Sequence, residues 1–181
     1  VEAIRLRKTH ANLMFPNIGV GGYCLTKDPL LASWSRKFFF NSDSDLKMSV
    51  ESVSMNDQMP ALAFRRLKEV FGDLGGQNVS FLGVSYRGDV GDTRFSPVEG
   101  LYNLVSSESK SILLHDPFLS HWEEQNLEVK SDLDEVFPNY LDLIIISTAH
   151  SCYQESDLLN KIMDLPPLKI FDAVGLFKND Q

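Results

Sequence analysis

The sequence predicts an α/β chain: a helical segment followed by a doubly wound parallel sheet. Two patterns carry this. From residue 76 onward, four short apolar runs alternate with helical stretches, the order that builds a parallel sheet with helices on both faces. Before residue 76, apolar residues recur at three- and four-residue intervals instead, which is the period of helices.

The stretch up to about Ile18 is irregular in pattern, and the Gly-rich run Gly19–Val20–Gly21–Gly22 follows it. Asp28–Pro29 then reads as an N-cap and first turn, predicting a helix through Leu30, Leu31, Trp34 and Phe38. Asn41–Ser42–Asp43–Ser44–Asp45 is a polar break. A long helix is expected from Leu46 to Phe71, kinked or divided at Pro60. Gly72, Gly75 and Gly76 end it, and the domain boundary is placed there, separating residues 1–75 from 76–181.

The first strand is read at Val79–Val84, followed by a helix capped by Ser96 with Pro97 in its first turn. The second strand is Ser111–His115, ended by Asp116–Pro117. A short helix at Leu133–Phe137 leads to Leu143–Ser147, whose almost wholly apolar run suits a strand covered on both faces. A helix over Asp157–Met163 and a strand at Lys169–Asp172 complete the pattern.

Bulk composition narrows the function. A net charge of −8 argues against a broad nucleic-acid surface, yet leaves room for a few cations around a phosphate. No apolar run has the length of a membrane span, and no signal peptide is read at the start. The two cysteines, Cys24 and Cys152, lack disulfide or zinc spacing, so no metal site is expected and a reducing, cytoplasmic setting fits. The absence of an initiator Met suggests a piece of a longer protein.

Two motifs carry chemistry. Gly19, Gly21 and Gly22 allow close approach of backbone to a ligand, with Tyr23 and Cys24 directly behind them. Asp28 stands four residues after Cys24, so on a shared helix the thiol and the carboxylate lie on one face. That pair suits covalent acyl chemistry, with the sulfur attacking a carbonyl and the carboxylate managing water; Lys27 adds a nearby cation. Taken singly, each residue has a plainer reading: Cys24 as a small buried hydrophobe, Asp28 as a helix cap.

The second motif is the loop Gly83–Val84–Ser85–Tyr86–Arg87–Gly88–Asp89–Val90–Gly91–Asp92–Thr93–Arg94–Phe95–Ser96–Pro97. Ligands of parallel sheets bind beyond the carboxyl ends of strands, and Arg87 and Arg94 there suit a diphosphate. Alternatively, Arg94 only pairs with Asp89 or Asp92. No GxGxxG follows this strand, so the domain is not a standard dinucleotide binder. His115 and His150 lie at strand ends, where a site is possible, and Cys152 is read as structural.

With these two motifs the sequence resembles the UDP-glucose/GDP-mannose dehydrogenase family. GVGGYCLTKD is similar to its GxGxGGxCxxKD-type signature, and LGVSYRGDVGDTRFSP to its LGxxFKxxTxDxRxSP-type signature. Met55–Asn56–Asp57 resembles the asparagine-bearing segment of the family's long central helix. The resemblance implies NAD-dependent oxidation of the C6 hydroxyl of a nucleotide sugar to a carboxylate, by a homodimer. It identifies this chain with the end of the central helical region plus a Rossmann-like UDP-binding domain. It implies Cys24 as the thiol forming a thiohemiacetal and then a thioester, and Asp28 as the carboxylate assisting hydrolysis. Gly19, Gly21, Gly22, Tyr23, Lys27 and Arg87 fall on the substrate side, and Arg94 on the cofactor side. Arg87 stands where the family usually has Lys, and Ala173–Val174 where an Arg often follows the last strand. NAD is expected to bind mainly a domain absent from this chain, so the chain alone should lack dehydrogenase activity. The sugar stays open among UDP-glucose, UDP-N-acetylmannosamine, UDP-N-acetylgalactosamine and GDP-mannose. The rival reading is a non-catalytic nucleotide-sugar-binding or dimerisation module.

Overall fold

A computed structural model describes residues 1–11, 13, 17–154 and 156–177. Part of the stretch read as irregular, residues 12 and 14–16, lies outside them. The part described holds a short helix α1 (Glu2–Arg5) and a single 3-10 turn (Lys8–His10).

Helix α2 spans Tyr23–Phe40 and α3 spans Lys47–Phe71. The first corrects the expected start. Asp28 is not a cap; Gly22 is, at φ +83°, and Asp28–Pro29 lies in the second turn. Gly22 reverses the chain as only glycine does without strain, and its carbonyl accepts the Thr26 hydroxyl at 2.8 Å. Asn41, left-handed at φ 47°, closes α2. The connecting loop is tied back by Ser33, whose hydroxyl donates to Asp45 and accepts from the amide of Leu46. Helix α3 runs through Pro60 undivided. That proline is buried where α3 crosses the later helix α4.

Strand β1 (Asn78–Leu82) pairs in parallel with β2 (Ser111–His115) on one side. A two-stranded antiparallel ribbon, β3 (His121–Trp122) with β4 (Leu127–Glu128), follows β2. Strand β5 (Leu143–Ile146) then pairs in parallel with the other side of β1, and β6 (Lys169–Asp172) with β5. The sheet order is therefore β2-β1-β5-β6. Helix α4 (Pro97–Ser106) connects β1 to β2, and α5 (Ser156–Met163) connects β5 to β6.

Alternation along the strands divides the core in two. Val79, Phe81, Leu143 and Ile145 face one layer, where Ile18, Leu67, Leu74, Val98, Leu101 and Trp122 complete a buried cluster. Leu82, Ile144 and Ile146 face the other, against Val136, Tyr153 and Leu158. Helical pieces thus cover both faces, as a doubly wound sheet requires. Ile18 and α3 contribute to the same core as the strands, so the Gly-rich run that follows Ile18 is anchored to the sheet domain. A 3-10 turn at Leu133–Val136 replaces the expected short helix.

Candidate functional site

The direction of the chain changes between β1 and β5, because β1 leads left to β2 and the return crosses to β5. A crevice beyond the carboxyl ends of the strands at such a point is where parallel sheets take ligands. The loop 83–97 leaves β1 there.

That loop is built on a buried carboxylate. Oδ2 of Asp116, just past β2, accepts from the amides of Val84 (3.0 Å) and Ser85 (3.1 Å) and from the Ser85 hydroxyl (2.9 Å). It lies 3.1 Å from Nε2 of His150, while Oδ1 accepts from the amide of Phe118. The amide of Asp89 donates to Nδ1 of His150 at 3.0 Å, which fixes the tautomer: Nε2 carries the proton and donates to Asp116. Burial alone would push the Asp116 carboxyl up; the hydrogen bond from His150 and those from the backbone amides outweigh it and hold it below its ordinary value. Asp89, left-handed at φ 59°, accepts from the amide (2.8 Å) and hydroxyl (2.5 Å) of Ser151. The hydroxyl bond first, then the amide, keep its carboxyl low. His115 is equally internal, with its Nδ1 at 2.7 Å from the Tyr153 hydroxyl and its Nε2 3.3 Å from the Ser131 carbonyl. Both histidines hold strand ends together, a part that spacing along the chain did not reveal.

The Gly-rich run lies against both limbs of the same loop, at Tyr86 and at Phe95–Pro97. A Cβ on Gly21 would meet Tyr86 Cβ at 2.5 Å, the Phe95 carbonyl oxygen at 2.7 Å and Pro97 Cδ at 2.9 Å, so only glycine fits. The amide of Gly22 donates to the carbonyl of Arg94 at 3.2 Å. The ring of Tyr23 meets that of Phe95 edge-on, 5.5 Å between centroids. From α3, Asn56 reaches the run with both ends of its amide: Oδ1 accepts from the amide of Val20 at 2.7 Å and Nδ2 donates to its carbonyl at 2.8 Å. Gly19 passes closely over Pro97 and Asn56.

Cys24 is exposed in the first turn of α2, one turn before Asp28 on the same face. Lys27 Nζ lies 2.6 Å from Asp28 Oδ1 and over the Tyr23 ring at 5.2 Å from the centroid. Its hydrogen bond to Asp28 raises the ammonium pKa despite some desolvation, keeping Lys27 charged. Oδ2 of Asp28 takes no part in that bond. Of the two alternatives for Arg94, the structure selects Asp92, at 2.9 and 2.6 Å, which raises the guanidinium pKa further. Arg94 nonetheless remains 64% exposed, beside a cleft of about 730 Å³ lined also by Phe118, His121 and Glu124. A second cleft, about 290 Å³, lies between the Gly-rich run, α3 and α4, with Thr26 of α2 and Asp57 on its walls. Arg87 is exposed on the limb nearer His150. So Gly19, Gly21, Gly22 and Tyr23 pack against the loop, at Tyr86 and at Arg94–Pro97, with Cys24, Lys27 and Asp28 following them in the first two turns of α2, and Arg87 is next to Tyr86 in the chain.

Cys152 is half-buried against the α5-side core. Among the described residues no group of three His, Cys, Asp or Glu side chains is placed to hold a metal ion, and no helix is long and apolar enough to cross a membrane.

A family model, described as the UDP-binding domain of the UDP-glucose/GDP-mannose dehydrogenase family, matches residues 80–179. The UDP-N-acetyl-D-mannosamine dehydrogenase of Methanocaldococcus jannaschii is 30% identical over 159 residues, covering 86% of this chain and 34% of the relative. The UDP-glucose 6-dehydrogenase of Rickettsia conorii is 26% identical over 149 residues, 80% of this chain and 34% of the relative. Among solved structures, the NDP-N-acetyl-D-galactosaminuronic acid dehydrogenase of Methanosarcina mazei Go1 superposes with a TM-score of 0.76 at 26% identity, over 92% of this chain and 37% of that one. The chain thus spans about a third of the length of these proteins.

Proposed function

The chain belongs to the UDP-glucose/GDP-mannose dehydrogenase family and carries its UDP-binding domain, and from that premise we propose that it is the C-terminal part of an NAD-dependent UDP-sugar 6-dehydrogenase. Residues 1–75 would supply the nucleophile and the dimer contact, and residues 76–181 the nucleotide-sugar site. The observation that carries this reading is the packing of the Gly-rich run on the loop 83–97. It brings an exposed thiol, with a carboxylate one turn on, to the loop that bears Arg87 and Arg94 at the switch point of the sheet.

The chemistry divides among these side chains. Once the C6 alcohol has become an aldehyde, Cys24 adds its sulfur to the carbonyl carbon, the thiol proton leaves, and the carbonyl oxygen becomes a hydroxyl. The carbon then again bears hydrogen next to an oxygen that can push a hydride out, and its oxidation leaves a thioester. Water attacks the thioester carbon, Asp28 accepts the water proton, and the carbon–sulfur bond breaks to release the carboxylate and the thiol. Lys27 is held on Oδ1 of Asp28, which leaves Oδ2 to serve the water. Arg87 is assigned to the substrate diphosphate.

NAD accepts the hydrides when bound. The residues here fit only its edge: Arg94 is one exposed cation already engaged by Asp92, and no Gly-rich phosphate cradle follows β1. Most of its contacts are therefore assigned outside this chain.

The exposed aromatic face of α2 supports a homodimer. Trp34 stacks on Phe38 at 4.9 Å and meets Phe39 edge-on at 6.0 Å, with Phe40 beside them in solvent.

The test is Cys24→Ser in the full-length enzyme. The second oxidation should stop, with uronate production down by about 1,000-fold or more. Uronate formed at the parent rate would overturn the assignment.

A further inference from the structure

Asn56 spends its whole amide on one residue. It donates to and accepts from the backbone of Val20, as a neighbouring β-strand would, although it projects from the middle of α3. Val20 itself is half-exposed, and its side chain is no anchor. Between Val20 and Cys24 there are only three residues, two of them glycines. Glycine-rich backbone holds no shape of its own, because each residue has a wide range of φ open to it. The first turn of α2, where Cys24 sits, therefore takes part of its position from whatever fixes the run before it. Three contacts among those that do so are the Asn56 pair on Val20, the Gly22 amide on the Arg94 carbonyl, and the fit of Gly21 between Tyr86 and Pro97. The last two tie the run to the nucleotide-side loop. Asn56 alone among the three ties it to α3.

We propose that Asn56 is a positioning residue for the second oxidation: by clamping Val20 to α3, it holds the Gly19–Gly22 run so that Cys24 meets the aldehyde carbon in line for attack. This rests on Cys24 being the nucleophile. A side chain that only stabilised the fold would lower the amount of native enzyme. One that positions the thiol lowers the turnover of the native enzyme, while the diphosphate contacts, made elsewhere, keep KM. An ångström of misplacement in a reacting pair costs up to about 100-fold in rate.

The experiment uses the full-length enzyme with Asn56→Ala and Asn56→Asp. Asp retains the acceptor for the Val20 amide but sets a carboxylate oxygen against the Val20 carbonyl. Hydrogen–deuterium exchange is read without ligand, and steady-state kinetics with the nucleotide sugar and with the aldehyde are read separately. In Asn56→Ala the Val20 amide should exchange at least about 10-fold faster, with the β1 and β5 amides unchanged. The kcat for aldehyde oxidation should fall about 10- to 100-fold with KM moved less than about 3-fold. Asn56→Asp should keep part of the Val20 protection and lose most of the kcat. Unchanged Val20 exchange would overturn the clamp. Faster exchange with parental kcat, or a loss confined to KM, would overturn the positioning role. Cys24→Ser, measured alongside, separates this from the reading beneath it: full acid production by that variant removes the nucleophile, whatever Asn56→Ala does to the Val20 amide.

Discussion

Nε2 of His150 lies 3.1 Å from Oδ2 of Asp116, and neither side chain has any surface in water. The pair joins the end of β2 to the segment beyond β5, across the top of the central strand. Asp116 also gathers the amides of Val84, Ser85 and Phe118 and the hydroxyl of Ser85. Asp116→Ala strands all of these donors, and so should cost about 3–5 kcal/mol. In a chain of this size that lowers Tm by very roughly 6–20 °C. Urea or thermal unfolding measures it, and a change under 1 kcal/mol would show that the loop does not depend on this carboxylate.

Acid should unfold the protein in two stages. Burial holds His115 neutral below its ordinary 6.5, so the unfolded chain binds its proton more readily, and stability falls as pH drops below about 6.5. Asp116 and Asp89 lie below their ordinary 3.8 in the folded state; the stability they add is present above that value and is lost as pH falls through and below it. Urea midpoints between pH 8 and 3 should show both slopes. His115→Gln should flatten the upper one alone.

Gly21→Ala tests the fit of the Gly-rich run. Its methyl would enter a space bounded at 2.5 Å by Tyr86 and 2.7 Å by the Phe95 carbonyl, so one limb must shift. About 1–3 kcal/mol of stability should be lost. In the full-length enzyme, acid production should fall with it. Parental stability by denaturant titration would show that the two limbs are not in contact in solution.

Asp28→Asn, in the full-length enzyme, should slow thioester hydrolysis by about 100-fold or more and leave the sugar acyl group on sulfur. Intact-mass analysis after quenching should find the adduct on Cys24. Rapid turnover with unmodified Cys24 would remove Asp28 from the hydrolysis step.

A double change of Phe38 and Phe39 to Ser should weaken self-association by about 10-fold or more if copies meet through the exposed face of α2. Sedimentation velocity over a range of concentrations reads it directly. An unchanged dimer would move the contact elsewhere.

Much of the fold is legible along the chain, and the misses have physical reasons. The four parallel strands show as apolar runs because a strand covered on both faces, such as Leu143–Ile146, leaves no polar residue to confuse the pattern. Ser96–Pro97 signals its helix because cap and fixed φ are local properties. Asp28–Pro29 carries the same local signal and misleads: the packing of Gly21 and Gly22 against Tyr86, sixty-odd residues away, starts the helix six residues earlier. The β3–β4 ribbon escapes because two residues per strand make no periodicity. Arg94 has two candidate partners in sequence, and only the turn of the loop, with Asp89 taken by Ser151, leaves it Asp92. The clamp of Asn56 on Val20 links positions thirty-six apart and has no signature along the chain.

Pro60 crosses α4 at Gly100, where a Cβ would stand 3.0 Å from the proline ring. A ring has no rotamer by which to yield, so the allowance must come from the other helix. The two positions are therefore coupled through this contact. Where descendants of this arrangement keep proline in the long helix, position 100 should stay glycine, and where position 100 gains a side chain, the proline should be gone.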